Sequence, residues 1–309
     1  MARYLIRRIV TILIALWLII TATFVIMHAV PGGPFASEKA VPAAVLENLN
    51  KRYHLDDPLW KQYVDYLWHI ARGDFGPSFK YDRSVNEIIW STFPVSATLG
   101  AVAVALALAV GLLAGIFAAL DQNRWPDYLS MVVATFNFSV PSFILAGLLM
   151  YVFAYRLQWF PPAMWGSWKQ AVLPALALAA LPTAFIARLM RSSMLEVLQQ
   201  DYIKTARAKG LPERVVILRH AVKNAIMPVV TYLGPLIAGV FTGSFVVEHI
   251  FAIPGLGRHF VTSIANRDYT LIMGTTVFYA AFLMLMNFLV DVAYVLIDPR
   301  VKLTDRREG

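Results

Sequence analysis

Six long stretches without Asp, Glu, Lys or Arg constrain this chain more than any other feature. They cover residues 9–30, 94–120, 128–155, 170–187, 224–247 and 269–290. A helix that spans the hydrocarbon core needs about 20 mostly apolar residues. The composition agrees, since 59% of the residues are hydrophobic and 15% are charged, against about 25% charged in average globular domains. The chain is therefore predicted to be an all-α polytopic membrane protein with six transmembrane helices.

The distribution of Lys and Arg predicts that both termini lie in the cytoplasm. With the N-terminus inside, the cytoplasmic segments hold sixteen basic residues and the short external connections hold four. Basic residues favour the cytoplasmic side of short loops, so the net charge of +8 indicates membrane orientation rather than a nucleic-acid partner. The first apolar stretch is longer than the core of a signal peptide and no small-residue cleavage site follows it. It is expected to remain as the first transmembrane helix.

The segment 31–93 is predicted to form a folded extracytoplasmic region. Asp57 followed by Pro58 is typical of a helix N-cap and first helical position. Leu59, Tyr63 and Leu67 recur at helical spacing and give one apolar face. Residues 73–77, Gly-Asp-Phe-Gly-Pro, then predict a turn.

Proline and glycine indicate special features inside the spans. Two interpretations of the prolines stay open: kinks around a translocation path, or the ordinary frequency of proline in membrane helices. The prolines of spans three to five are Pro141, Pro174, Pro182, Pro228 and Pro235. Small residues four apart, at Gly111 with Gly115 and at Gly239 with Gly243, allow close helix packing.

The cytoplasmic loop 188–223 predicts two helices joined at a glycine elbow. Gly210 suits the left-handed position that ends a helix, and Pro212 suits the first turn of the next one. Small residues at the elbow allow another protein to approach the backbone, and positive charge surrounds it. The basic residues are Lys204, Arg207, Lys209 and Arg214. The alternative to a docking surface is an anchor solvated by lipid headgroups.

A family resemblance rests on this loop and on motifs along nearly the whole chain. Residues 202–213 and 219–228 resemble the coupling loop of ABC importer permeases in the form typical of peptide systems. Further motifs that match are Pro-Gly-Gly-Pro at 31–34, Tyr-His-Leu-Asp-Asp-Pro at 53–58, Gly-Asp-Phe-Gly-Pro-Ser-Phe at 73–79, Ile-Pro-Gly-Leu-Gly at 253–257, and residues 291–299. Together they resemble the B-type permease subunit of oligopeptide importers.

The resemblance implies the type I permease fold of ABC importers. It divides the chain into the first transmembrane helix (1–30), the extracytoplasmic segment (31–93), a permease domain with five helices (94–297, coupling loop 188–223) and a cytoplasmic tail (298–309). It assigns coupling to an ATPase to Thr205, Ala206, Arg207, Ala208, Lys209, Gly210 and Leu211. The location implied is the cytoplasmic (inner) membrane.

The same resemblance implies the partners of the chain. These are a second permease subunit, two ABC ATPase subunits and an extracytoplasmic peptide-binding protein, within the lipid bilayer. The sequence contains no Gly-Lys dipeptide, so a Walker A loop is excluded. No cofactor is therefore expected in this chain, and ATP and Mg²⁺ are expected in the partner subunits.

The loop departs from the general ABC-importer pattern, E-A-A-x-x-x-G-x9-I-x-L-P. Lys204 and Thr205 stand where Glu and Ala are usual, Ala206 agrees, and the later proline is displaced to Pro228. Peptide permeases usually depart in this way, so sugar and amino-acid permeases are disfavoured. The alternatives are a dipeptide or nickel permease of the same family, or an ion-coupled secondary transporter, which would show inverted repeats and a buried acid at mid-membrane.

Other polar residues give weaker indications. Asn137, Ser139, Ser142 and Thr231 are candidates for lining a substrate path, although hydroxyls in membrane helices more often bond to helix backbone. The six histidines show no metal-ligand spacing, so no metal site is predicted. Asp291, near the end of span six, is expected to pair with an arginine such as Arg188 or Arg191.

Overall fold

The computed structural model describes residues 2–31, 47 and 55–297. In chain order the helices are α1 (Ala2–Ala29), α2 (Leu59–Ala71), α3 (Val85–Leu120), α4 (Trp125–Ser139), α5 (Ser142–Leu149), α6 (Trp168–Leu198), α7 (Asp201–Ala208), α8 (Glu213–Val215), α9 (Val222–Ala225), α10 (Met227–Ile250), α11 (Leu256–Asn266) and α12 (Tyr269–Ile297). Two π-helical segments, π1 (Met150–Arg156) and π2 (Val216–Ala221), follow α5 and α8. The described residues contain no β-strand, and the predicted tail 298–309 lies outside them.

The predicted all-α membrane architecture is confirmed. Five helices are long and apolar enough to cross a membrane, namely α1, α3, α6, α10 and α12. The third predicted span is instead a pair of helices, α4 and α5 with π1, bent by 108° at a short break. Counting this pair as one broken span gives the six spans that the sequence predicts.

The break lies at Val140 and Pro141, which separate α4 from α5. Proline lacks the N–H that would continue the helical ladder, and it pushes the preceding residue toward extended backbone. Val140 is indeed extended, with φ −97° and ψ 118°. Pro174 and Pro182 lie inside α6, and Pro235 lies inside α10, without ending either helix.

The bent pair runs from one end of α6 to the other. Asp127, at the start of α4, pairs with Arg191. Arg191 lies about 34 Å along α6 from Trp168, the first residue of that helix, at a rise of 1.5 Å per residue. After π1, the chain reaches Met164, just before α6 begins, and its N–H donates to the carbonyl of Phe251 beyond the end of α10 (2.8 Å). The segment from α4 to Met164 therefore connects the two ends of α6.

The described chain forms two compact units. The first combines the residues up to Pro94 with Gly255–Leu285, and the second combines Val95–Pro254 with the residues from Met286. The first unit contains α1, α2 and α11, and the second contains α4 to α10. The unit boundaries fall inside α3 and α12.

The predicted N-cap of α2 is wrong by one residue. Pro58 is the capping residue, with φ −56° and ψ 140°, and Leu59 is the first helical residue. The Asp57 carboxylate instead pairs with the Lys61 ammonium at 2.9 Å. The predicted apolar face is confirmed in part: Tyr63 and Leu67 are half-buried, whereas Leu59 is 59% exposed.

Glycines let α3 pack closely against α6 within the second unit. A Cβ at Gly111 would lie 2.8 Å from the Cβ of Ile186, and a Cβ at Gly115 would lie 2.6 Å from the carbonyl oxygen of Ala187. The close packing predicted for this glycine pair is confirmed. Gly239 shows no such packing within this chain, because no heavy atom lies within 4 Å of an added Cβ.

We expect Gly115→Ala to lower the free energy of unfolding by about 1–3 kcal/mol, the usual cost of overpacking. The added methyl would meet backbone, which cannot rotate away as a flexible side chain can. Gly239→Ala is the matched control, because its methyl enters open space and alanine favours helix by about 0.5–1 kcal/mol. Thermal unfolding in detergent measures both variants. Equal midpoints for the two would contradict the close contact.

Candidate functional site

The elbow predicted in the long loop is present between α7 and α8. Gly210 has φ +74°, the left-handed conformation expected for it. The turn is closed by hydrogen bonds from the Gly210 N–H to the Arg207 carbonyl (2.9 Å) and from the Lys209 N–H to the Thr205 carbonyl (3.0 Å). Pro212 then acts as the N-cap of α8. The sequence thus places a tight reversal between two short helices.

Helix α7 has one buried and one exposed face. Ile203 is 0% exposed and Ala206 is 7% exposed, and both belong to the core cluster of the second unit. The other candidate coupling residues are exposed, namely Thr205, Arg207, Ala208, Lys209, Gly210 and Leu211. Ala206 therefore seats α7 on the core, and its methyl group is not part of the exposed surface.

The exposed surface around the elbow carries mixed charge with an excess of basic groups. The Arg207 guanidinium donates to the Glu213 carboxylate, with Nη2 2.6 Å from Oε1. This bond is the main reason why the pKa of Glu213 lies below its usual value. Lys204 pairs with Asp201 at 2.9 Å. The Arg207–Glu213 pair joins α7 directly to α8 and so holds the two arms of the elbow together.

The elbow is also tied to the segment that leads into α10. The side-chain amide of Asn224, in α9, donates to the Tyr202 hydroxyl at 3.0 Å. Between α8 and α9 the chain forms the π-helical segment π2, in which Val216 and Ala221 are fully buried. π-Helical turns are rare and occur frequently at functional sites. A displacement of α7 would therefore reach α9 and α10 through these contacts.

The four candidate path residues lie in different environments. Asn137 lines a cavity of about 220 Å³ together with Thr183 and apolar residues of α3, α5 and α6. Ser139 donates to the Thr135 carbonyl (2.8 Å) and Thr231 donates to the Met227 carbonyl (3.1 Å), each on its own helix. Ser142, the first residue of α5, is half-buried.

An ion pair that the sequence did not indicate joins α4 to α6. Asp127 is 3% exposed, and its two oxygens accept from Nε and Nη2 of Arg191, both at 2.6 Å. The sequence analysis expected Asp291 to pair with an arginine such as Arg188 or Arg191, and the Arg191 guanidinium binds Asp127 here. The other expected partner, Arg188, donates to the Thr135 hydroxyl at 2.8 Å. The Asp291 side chain lies outside the described part of the chain.

A second polar cluster, in the first unit, forms around Asp268. This residue is fully buried and immediately precedes α12. It accepts from the Ser78 hydroxyl, from the Phe79 N–H (3.1 Å) and from the Leu271 N–H (3.2 Å). The carboxylate thus caps α12 and fixes the turn after residue 77. Asp268 lies three residues before Leu271, the spacing of an N-cap residue and the N–H that it accepts from. This spacing is the signal from which the capping role of Asp268 could have been predicted.

Glu248 is 0% exposed near the C-terminal end of α10, one residue beyond the predicted fifth span. Within the described residues, no group of three or more His, Cys, Asp or Glu side chains is arranged to hold a metal ion.

Comparison with known proteins identifies the family. Residues 1–100 match the N-terminal part of binding-protein-dependent transport system membrane components, and residues 111–303 match the family described as binding-protein-dependent transport system inner membrane component. The chain is 53% identical over 304 residues to the dipeptide transport system permease protein DppB of Bacillus subtilis, covering 98% of this chain and 99% of that protein. It is 47% identical over 306 residues to the oligopeptide transport system permease protein OppB of Salmonella typhimurium, covering 98% and 100%.

Solved structures agree on the fold. The MetNI methionine ABC transporter matches with a TM-score of 0.53 at 16% identity, covering 69% of this chain and 96% of that chain. An amino acid ABC transporter matches with a TM-score of 0.50 at 17% identity, covering 70% and 95%. The resemblance seen in the sequence is confirmed: the chain belongs to the family of binding-protein-dependent transport system membrane components, in the group of the oligopeptide and dipeptide ABC permeases.

Proposed function

We propose that this chain forms half of the pore of an ATP-driven importer that moves oligopeptides inward across the cytoplasmic membrane. The observation that carries the proposal is that relatives named as oligopeptide permeases are 45–47% identical to it over 98% of its length. Dipeptides are the second candidate substrate, because the relative that is 53% identical is named as a dipeptide permease. Uptake of labelled dipeptides and longer peptides by cells with and without this chain separates the two.

The energy for transport comes from partner subunits. The chain has no Gly-Lys dipeptide and hence no Walker A loop, so ATP and Mg²⁺ are bound by two ABC ATPase subunits. A second permease subunit completes the pore, and an external binding protein delivers the peptide. Purification in mild detergent tests this assembly, because an ion-coupled transporter would elute without ATPase subunits.

The elbow between α7 and α8 is the proposed docking surface for an ATPase. Its exposed residues, from Thr205 to Leu211 with the exception of Ala206, offer backbone and basic side chains to a partner. Its buried residues Ile203 and Ala206 share one core cluster with Met190 of α6 and Val229 of α10. Movement of an ATPase therefore acts through α7 on two membrane helices, which supports alternating access of the pore.

The proposed orientation places both termini and the elbow in the cytoplasm and places α2 outside, as the sixteen-to-four distribution of basic residues requires. The chain contains no cysteine, so Lys61→Cys and Lys209→Cys each introduce a single thiol. We expect an impermeant maleimide to label the variant at position 61 in intact spheroplasts, and the variant at position 209 only after permeabilisation. The reverse pattern would overturn the orientation.

Gly210→Val is expected to reduce ATPase co-elution and peptide uptake together. The left-handed backbone at this position costs an ordinary L-residue about 1–2 kcal/mol, and a β-branched residue tolerates it worst. An added Cβ meets no atom within 4 Å, so the effect comes from the backbone of the elbow and not from a clash inside this chain.

Gly210→Asn is the matched control, since asparagine adopts the left-handed region more readily, and it should keep most of the uptake. Peptides that differ in charge and length should all slow by a similar factor in the valine variant, because the elbow does not contact the substrate. Wild-type uptake and ATPase binding in Gly210→Val, or a change in selectivity among peptides, would defeat the docking assignment.

A further inference from the structure

Helix α2 packs beside the C-terminal turns of α1 in the first unit. The hydroxyls of Thr21 and Tyr63 lie 2.6 Å apart, the rings of Phe24 and Tyr63 have centroids 5.2 Å apart, and His28 Nε2 lies 3.3 Å from Gln62 Oε1. These contacts extend over two turns of α1. They hold α2 against a helix that is long and apolar enough to cross the membrane.

The contacts place α2 at the boundary of the hydrocarbon core. The uncharged part of α1 begins at Ile9, just after Arg8, and 20 helical residues cover about 30 Å of hydrocarbon. That distance ends near His28. Thr21 lies seven residues earlier, about 10 Å deeper at 1.5 Å per residue. The side of α2 that faces away from α1 therefore lies at the level of the outermost acyl carbons and the headgroups of one leaflet.

The surface of α2 that does not contact α1 is divided into two strips. Trp60, Val64 and Trp68 recur every four residues and are 70%, 53% and 58% exposed, so they form an apolar strip along one side of the helix. The second strip is polar and runs beside the first. It consists of Lys61, Asp65, His69 and Arg72, all exposed.

The two strips border different cavities. A groove of about 490 Å³ lies between α1 and the apolar side of α2. It is mostly apolar and is lined by Thr21, Phe24, Val25, His28 and Ala29 of α1 and by Leu59, Trp60 and Tyr63 of α2. The polar strip, through Lys61, Asp65 and His69, lines a separate cavity of about 530 Å³ within the same unit. The groove beside the apolar strip is therefore distinct from the cavity that the polar strip borders.

We propose that α2 lies in the membrane interface and that the groove between α1 and α2 holds an acyl chain of a phospholipid. Tryptophan on an apolar strip beside basic residues is typical of helices that lie in the plane of the interface. The groove continues onto the exposed aliphatic surface of α1, where Val25 is 57% and Ile26 is 61% exposed. The Arg72 guanidinium stacks 4.3 Å from the Trp68 ring centroid, so a basic group adjoins the apolar strip.

Two adjacent positions test the placement of the helix. Val64→Cys and Asp65→Cys each receive a nitroxide label in the assembled transporter, with cysteine-free partner subunits, reconstituted in phosphatidylcholine vesicles. The ratio of oxygen to nickel-chelate collisions should be several-fold higher at 64 than at 65. A label at 64 that is open to the nickel chelate would show an aqueous face. A label at 64 that is shielded from both reagents would show a protein partner, and either result overturns the proposal.

The groove is tested with phosphatidylcholine brominated in the middle of its acyl chains, which quenches tryptophan on contact. Trp60→Phe should lower the fraction of total emission that is quenched, because Trp60 lines the groove. Trp165→Phe is the control, since Trp165 is half-buried against the core of the second unit and its removal should not lower that fraction. An unchanged or higher quenched fraction in Trp60→Phe would show that no acyl chain occupies the groove.

Discussion

Asp127→Ala is expected to lower the free energy of unfolding by about 3–5 kcal/mol, the cost of removing one partner from a buried ion pair. The substitution leaves the Arg191 guanidinium without the carboxylate that accepts from its Nε and Nη2 atoms. It also removes the acceptor of the Asn123 N–H, which lies 3.0 Å from Oδ2. Thermal unfolding in detergent should show a large fall in the midpoint.

The chain offers a matched control only a few residues away. Arg124 pairs with Asp121 at 3.2 Å, but the two side chains are 76% and 41% exposed. Exposed pairs contribute about 0–1 kcal/mol, so Arg124→Ala should be nearly neutral. The double variant Asp127→Leu, Arg191→Met should recover much of the loss, because no uncompensated charge stays buried. A cost for Asp127→Ala no larger than that of Arg124→Ala would contradict the buried pair.

This ion pair also bears on transport, because α6 connects it to the elbow. Arg191 lies seven residues before the end of α6, and α7 begins three residues after that end. Losing the pair would remove one contact between α4 and α6, the helix that leads into the proposed docking surface. Asp127→Ala should therefore reduce peptide uptake even at temperatures where the protein remains folded.

The membrane spans were predictable because the bilayer imposes a length and a polarity on each helix. Five of the six apolar stretches correspond to single long helices. The remaining one, residues 128–155, corresponds to the broken pair. The sequence did not show that the helix would break at Pro141 but continue through Pro174 and Pro182 in α6, since the three prolines look alike in sequence. The outcome depends on the packing around each proline, which decides whether the neighbouring backbone stays helical.

The left-handed glycine of the elbow was also predictable, because Gly210 follows a helical pattern and lies two residues before Pro212. The burial of Ala206 was not, because small residues suit both an exposed docking surface and a tight core contact. The ion pair of Asp127 with Arg191 joins residues 64 positions apart. Pairing at that separation depends on which helices are neighbours, and the sequence of a single chain does not specify this.

The second large effect is expected at Asp268, where alanine should cost about 3 kcal/mol or more. Four donors would lose an acceptor. Three of them are the Ser78 hydroxyl and the backbone N–H groups of Phe79 and Leu271. The fourth is the Thr270 hydroxyl, which lies 3.1 Å from the Asp268 carboxylate but keeps a second acceptor in the Pro77 carbonyl at 2.7 Å. Each donor left unsatisfied in a buried site costs about 1–3 kcal/mol, and α12 would lose its N-cap as well. The turn after residue 77 and the start of α12 should therefore loosen together.

Protease sensitivity in this turn and the thermal midpoint in detergent measure the effect. Asp268→Asn keeps an acceptor for the Leu271 N–H and should cost less than alanine. Asp82→Ala is the control, because Asp82 is an exposed carboxylate in the same turn region. Combining Asp268→Asn with Ser78→Ala should cost less than the sum of the single variants, since the two side chains share one hydrogen bond. If Asp268→Ala unfolded at the same temperature as Asp82→Ala, the buried carboxylate would not hold α12 to this turn.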